Sequence, residues 1–223
     1  MLHLKILMAC VVSFFVITGE LYAQSPGSFR DKETHGIGFG ILVGNGIGSE
    51  VFYDFAINSL LQVHIFGSSV VNQGITLLGS EILETTQNLS GATLRIFPSE
   101  EFGFFIGVGG GSYEAQQVTK QEEYCSSSSA YNISECSGFE GSSIKKTTVS
   151  KLSGSAGFSE FGWQGYDGYY FTVGVRAGSV NISEEEDNTD KILEVSNHKE
   201  FSKEQWEAAK TISQSYIAFG WHF

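Results

Sequence analysis

The chain closes on Ser215-Tyr216-Ile217-Ala218-Phe219-Gly220-Trp221-His222-Phe223, and this stretch decides the fold. Ile217, Phe219, Trp221 and Phe223 are large and apolar, whereas Tyr216, Ala218, Gly220 and His222 between them are small or polar-tipped. A period of two marks a strand with one apolar face. The pattern runs to an aromatic final residue.

The same alternation recurs upstream. Ile37, Phe39, Ile41 and Val43 share one face, and Asn45-Gly46 then signals a turn. The return strand sets Val51, Tyr53, Phe55 and Ile57 against Glu50, Phe52, Asp54 and Ala56. A third sets Leu61, Val63 and Ile65 against Gln62, His64 and Phe66, and an excursion over 71–87 follows in which Ile75 to Leu83 could extend either flanking strand, so that sequence does not place its tip. Ala92, Leu94 and Ile96 alternate with Gly91, Thr93 and Arg95 up to the breaker at Phe97-Pro98-Ser99. Phe104, Ile106 and Val108 form a fifth strand, and the Ser-rich stretch 116–148 reads as a long loop. In the sixth, Phe161 and Trp163 oppose Leu152, Ala156 and Phe158 in parity, so a bulge near Phe158-Ser159 is expected. After a turn at Tyr166-Asp167-Gly168, Tyr169, Phe171, Val173 and Val175 alternate with Tyr170, Thr172, Gly174 and Arg176. The acidic segment 182–214 then leads to the closing strand. Within it, Ser202 and Gln205 have capping-box spacing and Phe201 and Trp206 fit a hydrophobic staple, which predicts a short helix over 203–212.

Eight strands, 27 Gly against 2 Pro, and a length of 223 residues fit one all-β domain. A net charge of −12 argues against nucleic-acid binding, which needs basic residues to displace counterions from phosphates. Residues 1–23 carry Lys5, an apolar run and a small residue, Ala23, at the expected cut, the layout of a secretory signal peptide. A lipoprotein signal ending at Cys10 is the rival. Residues 24–34 read as a polar lead-in, and 35–223 as the barrel.

Alternation alone leaves open which face looks outward. A soluble lipocalin-like barrel hides its apolar face around a ligand, whereas a membrane barrel turns that face to lipid. Three features favour the membrane. Short turns at Asn58-Ser59, Pro98-Ser99 and Tyr166-Asp167-Gly168 share one end and the long connections the other. The non-apolar face mixes Gly with Asp54, His64, Arg95, Glu160 and Arg176, an interior polar cluster in which Arg95 and Arg176 are expected to bridge Glu160 and Asp54 beside Phe52, Phe105 and Tyr170. Aromatics such as Tyr53, Phe97, Trp163, Tyr169 and Trp221 gather near strand ends, as interfacial girdles do.

On these residues the mature chain resembles the small eight-stranded outer-membrane β-barrels of the OmpA and OmpX type. Its closing strand resembles the terminal strand that the barrel-assembly machinery reads in that family, with Tyr216, Phe219, Trp221 and Phe223 as the assembly signal. It departs at Ala218, where the family often has Gly. The resemblance implies an eight-stranded antiparallel up-and-down transmembrane barrel in the bacterial outer membrane, with short periplasmic turns and long external loops. Its partners would be outer-membrane lipids, the assembly machinery and a surface or host ligand. The role would be envelope integrity, adhesion or resistance to host defences, without catalysis or a cofactor, and without the peptidoglycan-binding domain of longer relatives.

Cys125 and Cys136 share one loop of an exported chain and read as a disulfide. The run Glu184, Glu185, Glu186, Asp187 and Asp190 lacks EF-hand spacing and reads as a solvated charge run. A lipid-modifying enzyme would need Ser, His and carboxylate together near the rim, for which His64 with Ser68 and Ser69 is the faint candidate. A small channel is the third class, disfavoured because eight strands leave an interior that side chains can fill.

Overall fold

Segments that alternate apolar with small or polar side chains satisfy their backbone groups as strands paired on both sides. The computed structural model describes residues 30, 34–75, 81–99, 103–124, 143–167, 169–189 and 196–223. They form β1 (His35–Gly44), β2 (Ile47–Asn58), β3 (Leu61–Ile75), β4 (Glu81–Ile96), β5 (Phe104–Tyr124), β6 (Ser143–Asp167), β7 (Tyr169–Glu186), a helix α1 (Ser196–Ala209) and β8 (Thr211–His222). Each strand pairs antiparallel with the next, and β8 pairs back onto β1 to close a barrel. Closure is finished by reciprocal backbone bonds between His35 and Phe223, 2.8 and 3.2 Å long.

The ring is staggered, as closure of a tilted sheet requires. Following partners from Tyr170 through Gly220, Gly38, Phe52, Phe66, Gly91, Gly111 and Ala156 returns to β7 at Val180. Side chains from distant strands therefore meet at one height in the lumen.

Much of what reads as loop is strand. The excursion over 71–87 is largely the paired ends of β3 and β4, and the Ser-rich stretch is entered by β5 to Tyr124 and left by β6 from Ser143. Polar alternation such as Ser112, Glu114 and Gln116 carries no apolar signal, yet its backbone pairs as completely as the belt below it. A tilted strand crosses a bilayer in about 9–11 residues. At 21 and 25 residues, β5 and β6 extend well beyond that.

Three expectations are corrected. Pairing of β5 with β6 runs unbroken past Phe158 and Ser159, so no bulge lies there. Leu152, Ala156 and Phe158 simply point inward and are buried, because this lumen accepts apolar as well as polar side chains. The helix is longer and earlier than 203–212, and β8 takes over at Thr211, so Ile212 is a strand residue. Ser202 therefore lies inside α1 and does not cap it. The signal segment, Cys125, Cys136 and the side chains of Phe201 and Tyr170 lie outside the described residues.

Candidate functional site

The wall is inverted relative to a soluble protein. Ile37, Val51 and Val108 are 55%, 67% and 59% exposed on the outside, whereas Glu160 and Arg176 are 2% and 0% exposed within. Ile65, Leu94, Ile106, Phe161, Val175 and Phe219 continue the exposed belt around the ring. Above it on β5 the outward positions become polar, with Ser112, Glu114 and Gln116. An apolar exterior around a charged interior is the architecture of a transmembrane β-barrel. The soluble lipocalin-like alternative fails on this point, because it would bury the belt.

Mid-lumen, six ionisable side chains from five strands form one cluster. Arg95 Nε donates to Glu160 Oε2 at 3.0 Å, and Arg176 Nη2 donates to Glu160 Oε1 at 2.9 Å. Arg176 Nη1 also donates to Glu50 Oε2 at 2.8 Å, and Arg95 Nη1 lies 3.7 Å from Asp54. His64 sits between two carboxylates, with Nδ1 2.6 Å from Asp54 Oδ1 and Nε2 3.4 Å from Glu50 Oε1. As the imidazolium it donates from Nδ1 to Asp54 and faces Glu50 with Nε2, so that three cations lie against three carboxylates. Aromatic faces complete the packing, Phe66 at 3.7 Å from the Arg176 guanidinium and Phe105 at 4.6 Å from that of Arg95.

Small residues make the room. A Cβ on Gly174 would lie 2.5 Å from the Tyr216 hydroxyl, which accepts a 3.1 Å bond from Arg95 Nη2. Glycine there is what lets a tyrosine reach across the lumen to an arginine of β4.

One bridge differs from expectation. Both arginines reach Glu160 and Arg95 also lies 3.7 Å from Asp54, but Arg176 takes Glu50 as its second partner, and Asp54 is held more closely by His64. Glu50 was legible, since it shares inward parity with Asp54 along β2. Tyr216, read as part of the assembly signal, faces the lumen, opposite to Phe219, Trp221 and Phe223 on the outer side.

The long-arm mouth is covered by α1. Thr85 Oγ1 donates to Gln205 at 3.1 Å, Ser202 Oγ donates to Gln117 at 3.2 Å, and Asn45 Nδ2 donates to the Ala208 carbonyl at 3.0 Å. Tyr113 donates its hydroxyl to the Ala209 carbonyl. Trp206 is fully buried in a cluster with Leu42, Val70, Leu89, Ala115, Leu152 and Ile212.

A real bulge governs this mouth. Ser153 pairs with Glu184 but Gly154 pairs with Ile182, leaving Ser183 as the extra residue of β7. The shift reverses parity beyond it. Glu185, now paired with buried Leu152, accepts from Trp206 Nε1 at 3.0 Å and from Lys210 Nζ at 2.7 Å. That pairing with Lys210, reinforced by the indole N–H, holds the Glu185 carboxyl below its usual value of 4.5.

At the short-turn end, the lead-in is not inert. Arg30 is buried, donates from Nε to the Ser59 carbonyl at 2.7 Å, and places its guanidinium 3.7 Å over the Phe97 ring.

The enzymatic candidate is not assembled. Ser68 Oγ donates to the Leu89 carbonyl, Ser69 is on the outward face, and His64 is engaged by Asp54 and Glu50. Among the described residues no group of three His, Cys, Asp or Glu could hold a metal ion.

No family model and no curated protein matches the chain. Solved structures that resemble it include CarO of Acinetobacter baumannii, at 11% identity and a TM-score of 0.48, with 86% of this chain and 98% of that one covered. CarO2 of Acinetobacter baumannii gives 11% and 0.44, with 84% and 98% covered. Ail, the attachment invasion locus protein of Yersinia pestis, gives 6% and 0.45, with 84% and 95% covered. Likeness at this level carries no weight beside the strand ladder itself.

Proposed function

We propose that this chain is an integral protein of the bacterial outer membrane, a closed barrel without catalytic activity whose long arms present a surface outside the membrane. That surface serves envelope integrity, adhesion or contact with a host or the environment. The observation that carries this reading is the inversion of the wall, with an exposed apolar belt around a charge-paired lumen. In lipid every backbone group must be satisfied internally, and a closed ladder does this without edges.

The other features are consistent with presentation. The lumen is filled at three levels, by Arg30 and Phe97, by the ionic cluster, and by α1 with Trp206. The arms of β5 and β6 rise beyond the belt with polar outward residues. Its partners on this reading are outer-membrane lipids along the belt, the assembly machinery at Phe219, Trp221 and Phe223, and a ligand at the arms.

Cell fractionation tests the proposal. The protein should remain with the outer membrane and migrate differently on a gel when unheated. Recovery as a soluble species in periplasm or medium would overturn it.

A further inference from the structure

The contacts of Trp206 resemble those of a bound ligand. Trp206 is fully buried and belongs to one apolar cluster with wall residues Val70, Ala115 and Leu152, yet the helix that carries it belongs to no strand ladder. In the register of the wall, Val70, Gln87, Ala115, Leu152 and Glu185 lie side by side at one height. They form an apolar seat with a carboxylate at its rim.

That carboxylate is doubly occupied by one segment of chain. Glu185 Oε1 accepts from the indole N–H of Trp206 at 3.0 Å and from the ammonium of Lys210 at 2.7 Å. An aromatic ring seated beside a carboxylate that also holds a cation describes the seat of an arylalkylamine. The Ser183 bulge lies at this point and delivers Glu185 to the seat. Without it, Glu184 would hold the inward position in its place.

The attachment of α1 suits a cover that lifts. Among the described residues its bonds to the wall all run through side chains, from Asn45, Thr85, Tyr113, Gln117 and Glu185. Such bonds exchange for water at small net cost, whereas a strand ladder opens only cooperatively. At its C-terminal end α1 passes through Lys210 directly into β8, which fixes the pivot.

We infer that the long-arm mouth is a binding cup for a cationic aromatic amine, which Trp206 and Lys210 of α1 fill when no ligand is present. The ligand's ring takes the Trp206 seat, and its ammonium takes Glu185 in place of Lys210. The lid lifts as it enters. In the intact chain the lid competes with ligand, so apparent affinity is reduced by the fraction of molecules that are open.

The test uses the full-length barrel folded in detergent micelles, with tryptamine as probe and binding followed by calorimetry. Trp206→Ala with Lys210→Ala vacates the seat and leaves the ladder intact. This double variant should bind one tryptamine per chain at least about tenfold more tightly than wild type, because the lid no longer competes. Adding Glu185→Gln should weaken binding by about tenfold or more, the usual effect of losing a hydrogen bond to a charged group. Indole-3-propionate, an anion of similar shape, should bind more weakly than tryptamine to the double variant. A folded double variant that binds tryptamine no better than wild type, or that loses no affinity when Glu185→Gln is added, overturns the inference.

If the double variant does not fold, Lys210→Ala alone decides, because it removes the competing cation and leaves Trp206 in its cluster. It should bind tryptamine more tightly than wild type, and the gain should vanish when Glu185→Gln is added. Equal binding by wild type and Lys210→Ala overturns the cup.

Discussion

Replacing Glu160 by glutamine removes the one carboxylate that both arginines share. In the intact lumen Arg95 reaches it through Nε at 3.0 Å and Nη2 at 3.3 Å, and Arg176 through Nη2 at 2.9 Å. Afterwards Arg95 retains the neutral Tyr216 hydroxyl at 3.1 Å and, as its remaining carboxylate among the described residues, Asp54 at 3.7 Å, already engaged by His64, while Arg176 retains Glu50 at 2.8 Å. Removing one partner of a buried ion pair costs about 3–5 kcal/mol, because the remaining charge has been desolvated without compensation. Two guanidiniums lose a partner here, which places the expected loss in that range despite the polar amide that replaces the carboxylate. Glu50→Gln is the internal control. It leaves Arg176 on Glu160 and His64 on Asp54, so its cost should be about 1–3 kcal/mol, that of a buried group left partly unsatisfied. Reversible urea unfolding in lipid vesicles, read by tryptophan emission and unheated gel mobility, measures both. A Glu160→Gln loss below about 1 kcal/mol, the scale of an ordinary substitution, would refute the shared-carboxylate account. So would equality with Glu50→Gln.

Deleting Phe223 removes both backbone bonds to His35 and the terminal aromatic, and it should lower outer-membrane levels in cells more than it changes the gel mobility of whatever does assemble. Immunoblots of membrane fractions check this, and wild-type accumulation would count against an assembly role. Cys125→Ser with Cys136→Ser should leave heat-modifiable mobility unchanged, because the paired strands β1 to β8 do not include them, while protease resistance of the arm falls. The Glu185 latch carries a pH signature. Its carboxyl is held below 4.5 in the docked state, so its contribution is present above that value and is lost as pH falls through the lowered one. Emission from Trp206, in a background where Trp163 and Trp221 are phenylalanine, should shift toward that of exposed indole as pH drops below about 4.5, and Glu185→Gln should abolish the transition. An acid transition that persists in Glu185→Gln would place the latch elsewhere.

The barrel was legible in the sequence wherever one face was apolar. Ile37 to Val43, Val51 to Ile57 and Ile217 to Phe223 announce strands because lipid on one side demands a period of two. Beyond the belt both faces are polar, so residues such as Ser112, Glu114, Lys151 and Ser153 read as loop although their backbones pair throughout. The interior set followed from parity for Asp54, His64, Arg95, Glu160 and Arg176. The pairing did not, because the stagger of the ring decides which strands meet: Glu50 shows its inward parity, but its bond to Arg176, like that of Tyr216 to Arg95, follows only from the stagger. Leu152, Ala156 and Phe158 suggested a bulge for a related reason. An apolar inward residue is unexpected in a water-filled lumen and ordinary in a packed one. Ser202 and Gln205 imitate a capping box, yet their side chains serve Gln117 and Thr85 across the mouth. Spacing alone cannot separate those roles.

The central claim is that the lumen is closed, by side chains at mid-depth and by α1 and Arg30 towards its ends. Current through the wild-type protein reconstituted in planar bilayers tests it most directly. A filled eight-stranded barrel should insert and remain electrically quiet, with Arg95→Ala and Arg176→Ala becoming leakier as the cluster loses its bridges. Large, steady open-channel currents from the wild type would contradict the account.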